Sequence, residues 1–201
     1  MSYVVKQERV MNQTIKIVQY DSAESPREWD NLSKMIFVGK HEHLGDNHNV
    51  DFDIFGGFSS REDFIENGEK IVRQHFKDVV ICYPIHLYSH SGTSISVNYS
   101  GQYACRWDSG TIGFAIVTKK DIRDNWNVKN VTKKYIEHAD RILIGEVEEL
   151  NKYIMGEVYG YIIEDENGEH IDSCYGFYGN DIKTNGIAEH IGEEFVKALE
   201  G

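Results

Sequence analysis

Four side chains in this sequence have the types needed for hydrolytic chemistry: Asp30, Asp46, His90 and Asp108. Asp30 and Asp108 each follow a tryptophan, in Trp29-Asp30 and Trp107-Asp108, while Asp46 closes Leu44-Gly45-Asp46 and His90 opens His90-Ser91-Gly92. Carboxylates beside an imidazole in a partly apolar cleft can hold a divalent metal and activate water, the chemistry of a metal-dependent hydrolase or nuclease. Their spacing does not require it. Aspartates followed by Asn or Ser-Gly serve equally well as turn and capping groups, and a tryptophan before them is more simply a core anchor.

The stretch from Lys40 to Asp53 is the richest in metal-ligand types, with His41, His43 and His48 interleaved with Asp46, Asp51 and Asp53. These donors suit zinc, manganese or iron, so a divalent metal is the one cofactor the composition brings into view. The spacing matches neither a zincin helix nor an EF-hand loop, and a solvated loop accounts for it as well. The cysteines Cys82, Cys105 and Cys174 are odd in number, far apart and in no zinc spacing, as in a reducing compartment. Cys82 with His86 and His90, and Cys174 with His170, are conceivable thiol–imidazole pairs, against the simpler reading of small buried hydrophobes. No phosphate-binding glycine loop and no Gly-x-Ser-x-Gly elbow occurs, and Ser91 reads as a turn hydroxyl.

Charge narrows the partners. With 33 acidic against 21 basic residues the formal net charge is −12, and such a field repels nucleic acid, whose binders need a basic stripe. Lys119-Lys120 and Lys133-Lys134 are isolated pairs, so direct DNA reading is not expected. The acidity either keeps the chain in solution, or is bridged to phosphates by a metal, or imitates a nucleic-acid backbone and fills a partner's basic groove.

The elements that must position these residues follow from periodicity. A chain of 201 residues, 40% hydrophobic and with two prolines, has the size and composition of one folded domain. We therefore expect an N-terminal arm or edge strand over residues 1–12 and a single α+β domain over 13–201. Gln13–Tyr20 alternates as a strand. Ser25 caps a short helix over Pro26–Leu32 with Glu28 completing a capping box, and Met35–Val38 is a strand. Ser59 or Ser60 caps a helix to about Phe76, weakened at Gly68. The apolar run from Val79 is a core strand, with Pro84 at a bulge or edge. Thr93–Tyr99 and Thr111–Thr118 are further strands.

A short helix covers Asp121–Trp126. Thr132–Met155 carries apolar residues at the helical period until Gly156 stops it. Asn167-Gly168 joins two strands in a hairpin, and Asn185–Leu199 closes the chain as one amphipathic helix using Ile187, Ile191, Phe195 and Leu199. Hairpins outnumber crossovers, which predicts a mixed, mostly antiparallel sheet packed by about three main helices. No apolar run approaches the roughly 20 residues that span a bilayer, and Met1–Val10 is polar rather than a signal peptide. A cytoplasmic location without membrane contact is the expectation.

Several short motifs occur in order along nearly the whole chain: Glu24-Ser25-Pro26-Arg27-x-Trp29-Asp30-Asn31-Leu32, Leu44-Gly45-Asp46, His90-Ser91-Gly92, Trp107-Asp108-Ser109-Gly110-x-Ile112-Gly113-Phe114, Glu146-Val147-Glu148, Gly156-x-Val158-Tyr159-Gly160 and Asp172-Ser173-Cys174-x-Gly176-Phe177-Tyr178-Gly179. Together they resemble the signature of a family of small, largely uncharacterised proteins carried by bacteriophages and mobile elements. Ser89 stands where that pattern more often has Asp, and Tyr175 where a Trp is usual. The resemblance implies a genetic setting and leaves the mechanism open. Small acidic proteins in that setting often block host defence enzymes. The expected function is therefore counter-defence of the anti-CRISPR or anti-restriction type, in the cytoplasm of a bacterial host. The expected partner is a host defence protein that binds nucleic acid. The alternative is the hydrolase or nuclease built on Asp30, Asp46, His90 and Asp108.

Overall fold

The computed structural model describes residues 3–52, 58–90, 92–105 and 107–201. Its strands are β1 (Tyr3–Val10), β2 (Gln13–Gln19), β3 (Lys34–Phe37), β4 (Val79–Ser89), β5 (Thr93–Ser96), β6 (Ser109–Thr118), β7 (Val158–Glu164) and β8 (His170–Tyr178). Its α-helices are α1 (Arg61–His75), α2 (Lys119–Trp126), α3 (Lys133–Ile154), α4 (Ile187–His190) and α5 (Glu193–Glu200). The protein is α+β, and every strand pairing among the described residues is antiparallel. The strands form two sheets, in the orders β1-β2-β7-β8 and β3-β6-β4-β5, where the sequence reading has one. Two compact units correspond to them, residues 3–25 with 152–201 and Pro26–Asn151.

The first, composite unit draws on both flanks of the chain. Residues 3–10, the expected arm, form the edge strand β1. Ile15 and Ile17 of β2, Tyr161 and Ile163 of β7 and Phe177 of β8 build its core against Ile187, Phe195 and Leu199. The expected single helix over Asn185–Leu199 is two short ones. Ile191 is extended and Gly192 starts α5, as the low helix propensity of glycine favours. The predicted apolar positions are nevertheless all buried. The Asn167-Gly168 hairpin forms, with Gly168 at φ +84° and the Asp165 carboxylate accepting from the backbone N–H groups of Asn167 and Glu169 at 2.8 Å each.

The second, central unit carries all four candidate residues. Its core joins Ile36, Phe114 and Ile116 to Phe64, Ile71 and Val72 of α1. Gly68, which only weakens a helix when read in isolation, sits where a Cβ would lie 2.8 Å from the Phe114 ring. It lets α1 settle onto β6. Ser60 caps α1 by accepting from the Asp63 N–H at 3.1 Å.

Pro84 lies beside the register shift between Ile85 and His86, in the stretch of β4 that β5 does not reach. β5 stops at Ser96, short of the expected Tyr99, because the Ser96 hydroxyl takes the Asn98 N–H at 2.9 Å. The helix expected over Pro26–Leu32 is a single 3₁₀ turn, Pro26–Glu28. The Asn31 amide donates to the Pro26 and Trp29 carbonyls at 2.8 Å each, groups a longer helix would use itself. No helix among the described residues is long and apolar enough to cross a membrane.

Candidate functional site

His90 and Asp108 meet, although β5 and the loop after it separate them in the chain. The reason is strand order: β6 pairs directly with β4, Tyr88 opposite Ser109, while β5 lies on the other edge of β4. The Ser89 N–H then donates to the Asp108 carbonyl at 2.7 Å, and His90 Nδ1 lies 3.5 Å from Asp108 Oδ2. The Cys105 thiol approaches the same carboxylate oxygen at 3.6 Å. Ser91 and Arg106 lie outside the described residues.

The loop that delivers Asp108 is fastened by an arginine that periodicity did not single out. Arg61, the first residue of α1, donates through Nη1 to the Tyr99 hydroxyl at 2.9 Å and through Nη2 to the Ser109 carbonyl and hydroxyl, the latter at 3.0 Å. Its guanidinium also lies over the Tyr99 ring, 5.4 Å from the centroid. Beneath this latch His86 is buried to 2% exposure. Its Nδ1 is 3.0 Å from the Thr111 hydroxyl and its ring 4.9 Å from that of Tyr99.

Burial, helped by the Arg61 charge, pushes the His86 imidazole down to about 4. It is neutral at pH 7 and has no proton to give there. Because the folded value lies below the ordinary one near 6.5, stability is complete above pH 6.5 and falls as pH drops toward 4, where the unfolded chain binds the proton first. Urea unfolding should therefore show a loss of about 1 kcal/mol between pH 6 and pH 5 that His86→Gln removes. Equal slopes in the two proteins would exclude His86 as the cause.

The other two candidates are engaged elsewhere. Asp46 Oδ2 accepts from Arg27 Nη2 at 2.6 Å and from the Met35 N–H at 2.7 Å. It is one arm of a cluster in which Glu146 Oε2 lies 3.6 Å from Arg27 Nη1. Asp30 is exposed, in the loop after the Pro26 turn. Asp30 and Asp46 thus do not complete a metal centre with His90 and Asp108: among the described residues no three His, Cys, Asp or Glu side chains are grouped to hold a metal.

The same holds for the histidine-rich stretch. His48 Nδ1 accepts from the Val50 N–H at 3.3 Å and Nε2 is 2.7 Å from the Phe37 carbonyl, so both ring nitrogens are occupied. Asp53 is outside the described residues. The thiol pairs fail too. Burial, then the Glu69 charge, pushes the Cys82 thiol up to about 12, which leaves it inert. His170 Nε2 is 3.0 Å from the Ser173 hydroxyl rather than turned to Cys174.

What remains is an imidazole beside a carboxylate that also accepts a hydrogen bond from a thiol. That order is wrong for a nucleophile, since the base should stand between the thiol and the carboxylate. The tryptophans also depart from expectation. Trp107 is 88% exposed and Trp29 45%, so neither anchors a core. Trp107 stands beside Asp108, and Tyr99, held by Arg61, is exposed as well. A cleft of about 620 Å³ in the composite unit, between β1 and the Asp181–Lys183 loop, is lined by none of the four candidates.

The site therefore belongs to an α+β protein that presents an aromatic loop, with the single carboxylate of Asp108, from the end of a sheet. Compared with protein-family models, curated proteins and solved structures, the chain matches none.

Proposed function

We propose that this is an interaction protein of a bacteriophage or mobile element. It acts in the host cytoplasm as an anti-CRISPR or anti-restriction factor, by binding a defence protein that itself binds nucleic acid. The observation that carries this reading is Trp107, 88% exposed next to Asp108 in a chain of net charge −12. A tryptophan left in water gains on being covered by a partner, and such residues dominate interface energetics. The net negative charge of the chain favours a basic partner and speeds encounter with it. The motif resemblance supplies the genetic setting. The hydrolase alternative draws support from the 3.5 Å approach of His90 to Asp108, but lacks a third ligand among the described residues.

The test is affinity capture from host lysate at low salt. A nucleic-acid-binding defence protein should be recovered, and raising the salt should release it. Trp107→Ala should weaken the complex by about thirtyfold, the effect of a 2 kcal/mol hot spot. Recovery of no such partner, or equal binding by the variant, overturns the proposal.

A further inference from the structure

β1 ends its sheet with an open edge. Tyr3, Val4, Val5, Lys6 and Gln7 are all exposed, Tyr3 to 71%, and Met11 protrudes from the adjoining turn. Exposed apolar edge strands are templates for another strand, and the residues along this one determine which strand fits.

The β1–β2 hairpin has a two-residue turn, Met11-Asn12, with Val10 opposite Gln13. The residues flanking such a turn exchange both backbone hydrogen bonds, and the pattern alternates from there. Val10, Glu8 and Lys6 therefore spend their N–H and C=O groups on β2, while Arg9 and Gln7 direct theirs outward. An isologous antiparallel pairing must centre on an outward residue. Centred on Arg9, it sets like charges face to face. Centred on Gln7, each Gln7 exchanges two backbone hydrogen bonds with its counterpart. Lys6 of one copy then lies opposite Glu8 of the other on both sides of the axis, in the closely spaced pairs where side chains meet. Val5 is the extra residue of a bulge between Val4 and Lys6, so the regular part of this two-fold ladder is Lys6–Glu8 and its register is set there. The chain thus carries its own complementary strand, and a two-fold pairing closes at two copies.

We propose that β1 is a homodimer edge, with a second copy of this chain as its occupant and Gln7 on the two-fold axis. Lys6 Nζ already donates to the Leu199 carbonyl. An ammonium has three donors, so that bond does not compete with Glu8 of the second copy.

Sedimentation equilibrium of the full chain over a concentration series should show a monomer–dimer equilibrium. Gln7→Pro removes only an outward N–H, and should give a monomer with unchanged far-UV circular dichroism. Lys6→Glu and Glu8→Lys should each weaken the dimer about tenfold, because two like-charge pairs replace two opposite ones. The double variant Lys6→Glu/Glu8→Lys restores opposite charges, and should recover the dimer although it too lacks the Lys6–Leu199 bond. If Gln7→Pro does not fold, the charge series gives the answer alone. A monomer at every concentration, an assembly larger than two, or a double variant no tighter than the single ones overturns the proposal.

Discussion

Arg27→Met should lower the unfolding free energy by about 3–5 kcal/mol, the range found when one member of a buried ion pair is removed. The Arg27 side chain is 4% exposed and joins three segments of the central unit. Nη2 donates to Asp46 Oδ2 at 2.6 Å and to the Ser33 carbonyl at 2.7 Å, while Nη1 lies 3.6 Å from Glu146 Oε2. Glu146 in turn accepts from the Leu32 N–H at 2.7 Å, the Ser33 N–H at 3.0 Å and the Ser33 hydroxyl. Without the guanidinium, two carboxylates are left facing each other in a poorly solvated site, and the loop between Arg27 and Ser33 loses its tether. Neutralising the carboxylates as well, in Arg27→Met/Asp46→Asn/Glu146→Gln, should recover most of the loss, because the damage comes from uncompensated charge. Urea unfolding of the two variants at pH 7 reads this directly. A loss below about 1 kcal/mol for Arg27→Met would mean that water reaches the cluster and screens it.

The second large effect is expected at Gly113. A Cβ there would lie 2.2 Å from the Ile36 carbonyl oxygen and 2.8 Å from Phe37 Cα. Both atoms are backbone of β3, fixed by the pairings Ile36 opposite Phe114 and Phe37 opposite Gly113. No rotamer change relieves the overlap, so β3 must move off β6. Gly113→Ala should cost about 3 kcal/mol or more, at the upper end of overpacking. Gly110→Ala is the control, because a Cβ at Gly110 has nothing within 4 Å. Thermal unfolding of the pair should separate them widely; similar melting temperatures would show that β3 yields.

These two sites account for much of the motif pattern. Arg27, Asp46 and Glu146 come from three of the short motifs and converge on one charge cluster. Gly113 and Gly160 come from two more and provide close approaches, Gly160 to the Tyr175 ring and the Cys174 carbonyl. Leu44-Gly45-Asp46, read for its carboxylate, also supplies a glycine whose Cβ would fall 2.4 Å from the Met35 carbonyl oxygen. The pattern that looked like chemistry is in large part the geometry of the fold.

What was legible in the sequence was local. The period of α3 places Ala139, Leu143, Val147 and Leu150 inward, and Asn167-Gly168 marks its hairpin, because neighbouring residues alone decide both. The division into two sheets was not legible. It depends on β2 choosing β7, with Thr14 opposite Glu164, and on β3 choosing β6, pairings between strands far apart in sequence. The meeting of His90 and Asp108 has the same origin, since alternation along β5 and β6 is indifferent to which edge of β4 each takes. The exposure of Trp107 could not be read from its type, because a large aromatic suits a core and an interface equally.

The composite unit draws β1 and β2 from one flank of the chain and β7, β8, α4 and α5 from the other. On the ribosome, β2 emerges before the whole of Pro26–Asn151, and its partner β7 after it. The central unit is the first able to complete itself, in keeping with the tendency of chains to fold during synthesis in order of emergence. Until β7 arrives, the early strands are an isolated hairpin, which is marginal in water. A nascent chain from which Pro26–Asn151 has emerged but β7 has not would thus expose β2's hydrogen-bonding edge together with Ile15 and Ile17, a species suited to capture by chaperones, while the tryptophan-bearing loop is already in place.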